Sequence, residues 1–114
     1  MNSKQAVTAL AALAQTSRLA LFRWLVQVGP EGDCPGTMSE RLAIPAATLS
    51  FHLKALQHAG LIEATQSGRF IRYSANFTAM QALIDYLGEN CCGGQLDRCP
   101  PTSGPICGKT GGER

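Results

Sequence analysis

The stretch Thr37–Gly60, TMSERLAIPAATLSFHLKALQHAG, places a short helical segment, a break and a longer helical segment in immediate succession. Thr37 and Glu40 stand at capping-box spacing, so a short helix is expected from about Met38 to Ala43. Ile44-Pro45 ends it, because proline disfavours the helical conformation of the residue before it. Pro45 or Ala46 then opens the longer helix, with Leu49, Leu53 and Leu56 facing inward and Gly60 as its C-terminal stop. A helix, a tight turn and a second helix in this order allow the second helix to enter a DNA major groove about 12 Å wide. Its outward residues are Thr48, Ser50, Phe51 and Lys54: hydroxyls for bases or phosphates, a ring for a thymine methyl or for packing, and a cation for phosphate. His52 and His58 on the same helix are expected on its surface or facing DNA, because no cysteine or carboxylate stands at metal-site spacing around them.

Downstream, LIEATQ, Ser67-Gly68 and RFIRYSAN read as two strands joined by a glycine-tipped turn, with Arg69 and Arg72 placed to grip backbone phosphates. Upstream, Val7, Leu10, Leu13 and Ala14 share one helical face, and a second amphipathic run covers Ser17–Val28 with Thr16 or Ser17 as cap. Trp24 is expected in the core, and Arg18 either binds phosphate or packs between helices. A last helix from Phe77 to about Cys92 aligns Met80, Ile84, Leu87 and Cys91 in a seam suited to pairing with a second copy. The predicted fold is mainly α with a β-hairpin wing, a winged helix-turn-helix acting as a homodimer. Such a dimer would set its two recognition helices about 34–36 Å apart.

The composition agrees with one modest domain: 114 residues, 45% apolar, formal charge +2. From Thr37 to Asn76 the basic residues Arg41, Lys54, Arg69 and Arg72 outnumber Glu40 and Glu63, and the chain beyond Phe77 is slightly acidic. Residues 1–92 are assigned to DNA binding and dimerisation, and 93–114 to a Cys/Gly/Pro-rich tail. Lys4 with AVTALAALA imitates a signal peptide, yet the apolar period runs on through Leu19, Phe22 and Leu25. No run approaches the about 18 apolar residues of a membrane helix. A cytoplasmic protein without a membrane partner is expected, and its cysteines point to metal binding, catalysis or redox sensing before structural disulfides.

Three of the five cysteines fall within ENCCGGQLDRC, residues 89–99, where two glycines let Cys99 fold back toward Cys91 and Cys92. Readings left open are a buried Cys91, an incidental Cys99, a strained disulfide between Cys91 and Cys92, a redox switch, and a zinc clip completed by Cys107. A thiol enzyme would need a histidine base, but both histidines lie on the recognition helix, and neither a phosphate loop nor a Cys-x-x-Cys motif is present. The chain therefore reads as no enzyme, with no organic cofactor.

Over about residues 7–92 the sequence resembles the ArsR/SmtB family of metal- and metalloid-sensing repressors. The resemblance rests on LAALAQTSRLALFRWL with Arg18, on TLSFHLKALQHAGLI and on GRFIRYSA. It implies a homodimer on a palindromic operator, released when an inducer binds. Pro45-Ala46-Ala47 replaces the polar start usual for the family's recognition helix, which shifts base readout to Thr48, Ser50 and Phe51. Gln81, Asp85 and Glu89 have no histidine among them, unlike zinc-sensing relatives, and TMSERLAI lacks the Cys-x-Cys of the best-known arsenic sensors, which lone Cys34 does not replace. A vicinal pair ending the last helix, followed by a third cysteine, resembles a further arsenical-sensing subgroup. It implies Cys91, Cys92 and Cys99 as ligands of trivalent arsenic. Arsenite is soft and asks for three thiolates in a pyramid, as does antimonite, whereas methylarsenite needs only two.

Overall fold

The computed structural model describes residues 1–98. In chain order the elements are α1 (Ser3–Leu13), α2 (Thr16–Val28), α3 (Pro35–Leu42), α4 (Ala46–His58), β1 (Ile62–Ser67), β2 (Phe70–Ala75) and α5 (Phe77–Gly88), followed by 3-10 turns at Cys91–Gly94 and Leu96–Arg98. The chain is thus mainly helical with one antiparallel hairpin, in the winged helix-turn-helix arrangement expected.

α1 turns a different face to the core from the one its larger apolar residues suggest. Ala6, Ala9 and Ala12 are buried, while Val7 and Leu10 are 61% and 41% exposed, Leu13 is partly buried and Ala14 caps the helix in solvent. Short alanine side chains let one helix lie close on its neighbours, here α2 and α4. α2 begins one residue before the expected start, and the Gln15 side chain, not Thr16 or Ser17, accepts from the Arg18 backbone N–H at 2.9 Å.

α3 also begins earlier. Pro35 occupies its first turn, where the missing N–H costs nothing, so Thr37 and Glu40 already lie inside the helix and form no capping box. The helix ends at Leu42 with Ala43 left-handed, φ 54°, and the Ser39 hydroxyl donates to the Ile44 carbonyl at 2.6 Å across the turn. Pro45 is then the N-cap of α4. Leu49, Leu53 and Leu56 are buried as expected, each side chain contributing about 1.5–3 kcal/mol relative to an exposed one. Gly60, at φ +80°, allows the Leu61 N–H to reach back to the Leu56 carbonyl at 3.0 Å and close the helix.

β1 and β2 pair from Ile62↔Ala75 to Ser67↔Phe70, and Gly68 (φ +64°) carries the turn. Ile62 and Ala75 at the base of the hairpin are buried, Ile71–Ser74 of β2 are half-buried against the body, and β1 beyond Ile62 with Arg69 and Phe70 stays exposed as the wing. Asp33, in the α2–α3 loop, exchanges two 2.9 Å backbone hydrogen bonds with Tyr73 of β2. Gly32 makes this approach possible: its φ is +73°, and a Cβ there would collide with the Tyr73 carbonyl.

The core joins Leu21 and Leu25 of α2, Met38 of α3, the leucines of α4, Leu61 and Leu83 of α5. α5 opens on Asn76, whose Oδ1 accepts from Ala79 N–H at 3.1 Å while its Nδ2 donates to the Gly60 carbonyl at 3.1 Å. It stops at Gly88 and does not reach Cys92: Glu89 is already extended at ψ 131°, and Asn90 (φ 57°) and Cys92 (φ 55°) beyond it are left-handed. Cys91 therefore lies beyond the helix and is not part of its seam. No helix among the described residues is long and apolar enough to cross a membrane.

Candidate DNA-binding surface and thiol site

The buried leucine stripe of α4 fixes what the helix offers outward. Thr48, Ser50, Phe51 and Lys54 are all exposed, Phe51 at 63%, and they share the helix that follows the α3–α4 turn. Arg69 is exposed in the turn of the wing. Phe70 beside it, 67% exposed, was not singled out from the sequence, although an aromatic directly after a glycine turn was the available signal.

Arg72 is used differently from Arg69. Its Nε donates to the Glu31 carbonyl at 3.1 Å, one Nη to the Gly32 carbonyl at 3.0 Å, and the other to Cys34 Sγ at 3.5 Å. The guanidinium thus fastens the α2–α3 loop to the wing. Asp33 in that loop accepts from Trp24 Nε1 at 2.9 Å, and the Trp24 ring packs on the core edge with the Arg41 guanidinium 5.7 Å from its centroid.

His52 is not on the surface. It is 6% exposed, and its Nδ1 accepts from Arg18 Nε at 3.1 Å. Burial, and secondarily the Arg18 charge, lowers its pKa from the usual 6.5, so the ring stays neutral. The Arg18 guanidinium also lies 5.7 Å from the Phe51 centroid. Through these two contacts Arg18 braces α4 from α2.

At the other end of the chain, Cys91 Sγ and Cys92 Sγ are 3.8 Å apart, well beyond the about 2.03–2.05 Å of a disulfide. Both are half-buried. The backbone that carries them is unusual: Asn90, Cys92 and Gly93 are left-handed, at φ 57°, 55° and 71°. Among the described residues no group of three or more cysteine, histidine or carboxylate side chains is assembled for a metal ion. Cys99 and Cys107 lie outside the described residues, and with them most of the tail assigned to 93–114.

Residues 13–65 match the family described as a helix-turn-helix domain. Among solved structures, an ArsR-like transcriptional regulator from Rhodococcus sp. RHA1 is 26% identical with a TM-score of 0.67, covering 83% of this chain and 85% of its own. HlyU from Vibrio cholerae is 30% identical with a TM-score of 0.64, over 80% of this chain and 96% of its own. A homodimeric winged helix-turn-helix DNA-binding domain from Mycobacterium bovis, 24% identical, has a TM-score of 0.61 over 81% of this chain and 85% of its own. The fold and these relatives define a helix-turn-helix transcriptional regulator. The chain belongs to the ArsR family of such regulators.

Proposed function

We propose that the chain is an arsenic-responsive repressor that binds operator DNA as a homodimer and releases it when trivalent arsenic binds thiolates after α5. The single observation that carries the sensing arm is the 3.8 Å approach of the Cys91 and Cys92 sulfurs at the end of the helix. Soft thiolates suit a thiophilic metalloid, and Cys99, seven residues past Cys92, is the third donor in this reading. DNA engagement is supported by the exposed Thr48, Ser50, Phe51 and Lys54 on α4 and by Arg69 in the wing. Pairing of two copies is supported by Val7 and Leu10 on α1 and Ile84 and Leu87 on α5, which stay exposed on helices that pack together.

Arsenic held between Cys91, Cys92 and Cys99 would reorder the turn that follows α5 and bias the dimer toward a spacing that fits DNA poorly. A coupling of about 1–3 kcal/mol lowers DNA affinity about 5- to 150-fold, and moving from about 99% to 1% bound takes nearer 5.5 kcal/mol. The second reading, a thiol redox switch, is favoured by the same short sulfur contact.

The test is fluorescence anisotropy of a labelled duplex obtained by in vitro selection, titrated with arsenite, methylarsenite, antimonite, zinc and peroxide. Arsenite should release the wild type and fail with Cys91→Ser and Cys92→Ser. Cys99→Ser should lose the arsenite response and keep the methylarsenite one. Release by peroxide alone, reversed by a thiol reductant, decides for the redox switch.

A further inference from the structure

α1 and α4 leave a cleft of about 480 Å³ between them, within the about 300–1,000 Å³ range of small-molecule sites. Its apolar lining is Ala11 and Ala12 from α1 with Ala55 and Ala59 from α4 and its cap. The polar and aromatic lining is Thr8, Arg18, Lys54, His58 and Phe51, and no carboxylate is among the residues that line it.

Three features of this lining act together. Lys54 is exposed on α4 and forms no ion pair among the described residues, so its ammonium is available to an incoming anion. Arg18 spends only Nε on His52; its Nη groups hold no hydrogen bond among the described residues, and a guanidinium fork matches the two oxygens of a carboxylate. The alanines leave room for an apolar body while giving a bare, strongly hydrated anion nothing to replace its water. The lining therefore suits a molecule that is charged at one end and apolar along the rest.

We propose that this cleft binds a small organic monocarboxylate, its apolar body along the alanines and its carboxylate at Lys54 and Arg18, and that bound ligand and operator DNA exclude each other. The exclusion follows because Phe51 and Lys54 belong to both surfaces, and it rests on the proposed DNA-binding role, whereas ligand binding itself does not.

Calorimetric titration of the full chain without DNA uses octanoate, octan-1-ol and inorganic phosphate, which carry both features, the apolar body alone and the charge alone. Octanoate should bind at least about tenfold more tightly than either, and Lys54→Gln should weaken it by about tenfold. Ala11→Leu, which fills the cleft from α1 at an exposed position, should abolish binding with an unchanged thermal melt. In the anisotropy assay octanoate should release DNA from the wild type and not from Ala11→Leu, whose own DNA affinity stays unchanged. Equal affinity for octan-1-ol or phosphate, undiminished octanoate binding by both variants, or a protein that holds octanoate and DNA together would each overturn the proposal. A chain that binds no duplex even without octanoate counts against the repressor reading, and the calorimetry still decides the cleft.

Discussion

His52 illustrates how a residue on the second helix of the helix-turn-helix can serve the fold. Its folded-state pKa lies below the unfolded 6.5, so the unfolded chain takes up a proton first as the pH falls. The stability its neutral ring contributes is complete above about pH 6.5 and declines below it, down to the lower folded value. His52→Gln, which keeps an acceptor for Arg18 Nε, should flatten that part of the pH dependence in urea unfolding between pH 5 and 7, ranges set by histidine's about 6.5 reference value. Gly32 imposes a different constraint. Gly32→Ala combines a left-handed φ with a collision against the Tyr73 carbonyl, and it should cost about 1–3 kcal/mol or more, read as a lower urea midpoint at constant m-value. Arg72→Ala should likewise lower stability, because it frees the Glu31 and Gly32 carbonyls from their shared donor. Neither Gly32 nor the role of Arg72 was legible in the sequence, where both look like ordinary loop and wing residues. Their partners come from positions about forty residues away, 41 for Arg72 and Glu31.

At the scale of elements, end chemistry decides more than periodicity does. Asn76 caps α5 and also ties the hairpin exit to the end of α4, so Asn76→Ala should cost about 1–2 kcal/mol in thermal unfolding. Asn76→Asp keeps the acceptor for Ala79 and should recover the capping part of that loss. The helix-turn-helix itself was legible: the leucine spacing of α4, its Pro45 start and its Gly60 stop are all local signals, and each acts within a few residues. The start of α3 was not, because a proline and a capping box competed for the same end, and the proline suits the first turn without any side-chain bond. On the exposed side, Lys54→Ala and Arg69→Ala should each weaken operator binding across all duplex sequences and reduce the salt slope by about one. Thr48→Ala and Ser50→Ala should instead alter which duplex is preferred.

At the scale of the whole molecule, the exposed apolar residues Val7 and Leu10 of α1 and Ile84 and Leu87 of α5 lie on two helices that pack against each other. Leu87→Glu, at a position 62% exposed, should leave the thermal melt of the protomer nearly unchanged, while sedimentation shows monomers and operator affinity falls. Leu87 stands on the last turn of α5, four residues before Cys91, so in the proposed dimer an event at the sulfurs would have a short path to the pairing of two copies. The candidate thiol site was half legible. The clustering of cysteines showed in the sequence, but the extended Glu89 that ends α5 and the left-handed turn after it, in which the two sulfurs lie side by side, did not. Nothing in a glycine-flanked cysteine pair specifies that conformation until the preceding helix has stopped.

The sequence by itself determined the helix-turn-helix, the inward leucines of α4, the hairpin with Gly68 at its turn, and the clustering of cysteines near residue 91. These follow from backbone preferences and side-chain spacing that operate over a few residues. Only the tertiary structure decided which face of α1 is buried, that His52 turns inward to Arg18 across 34 positions, and that Arg72 closes the α2–α3 loop onto the wing. The physical reason is that burial and hydrogen-bond satisfaction are properties of the closed packing. α1 can approach its neighbours through alanines, so Val7 and Leu10 remain outside, left for a surface that another molecule can cover.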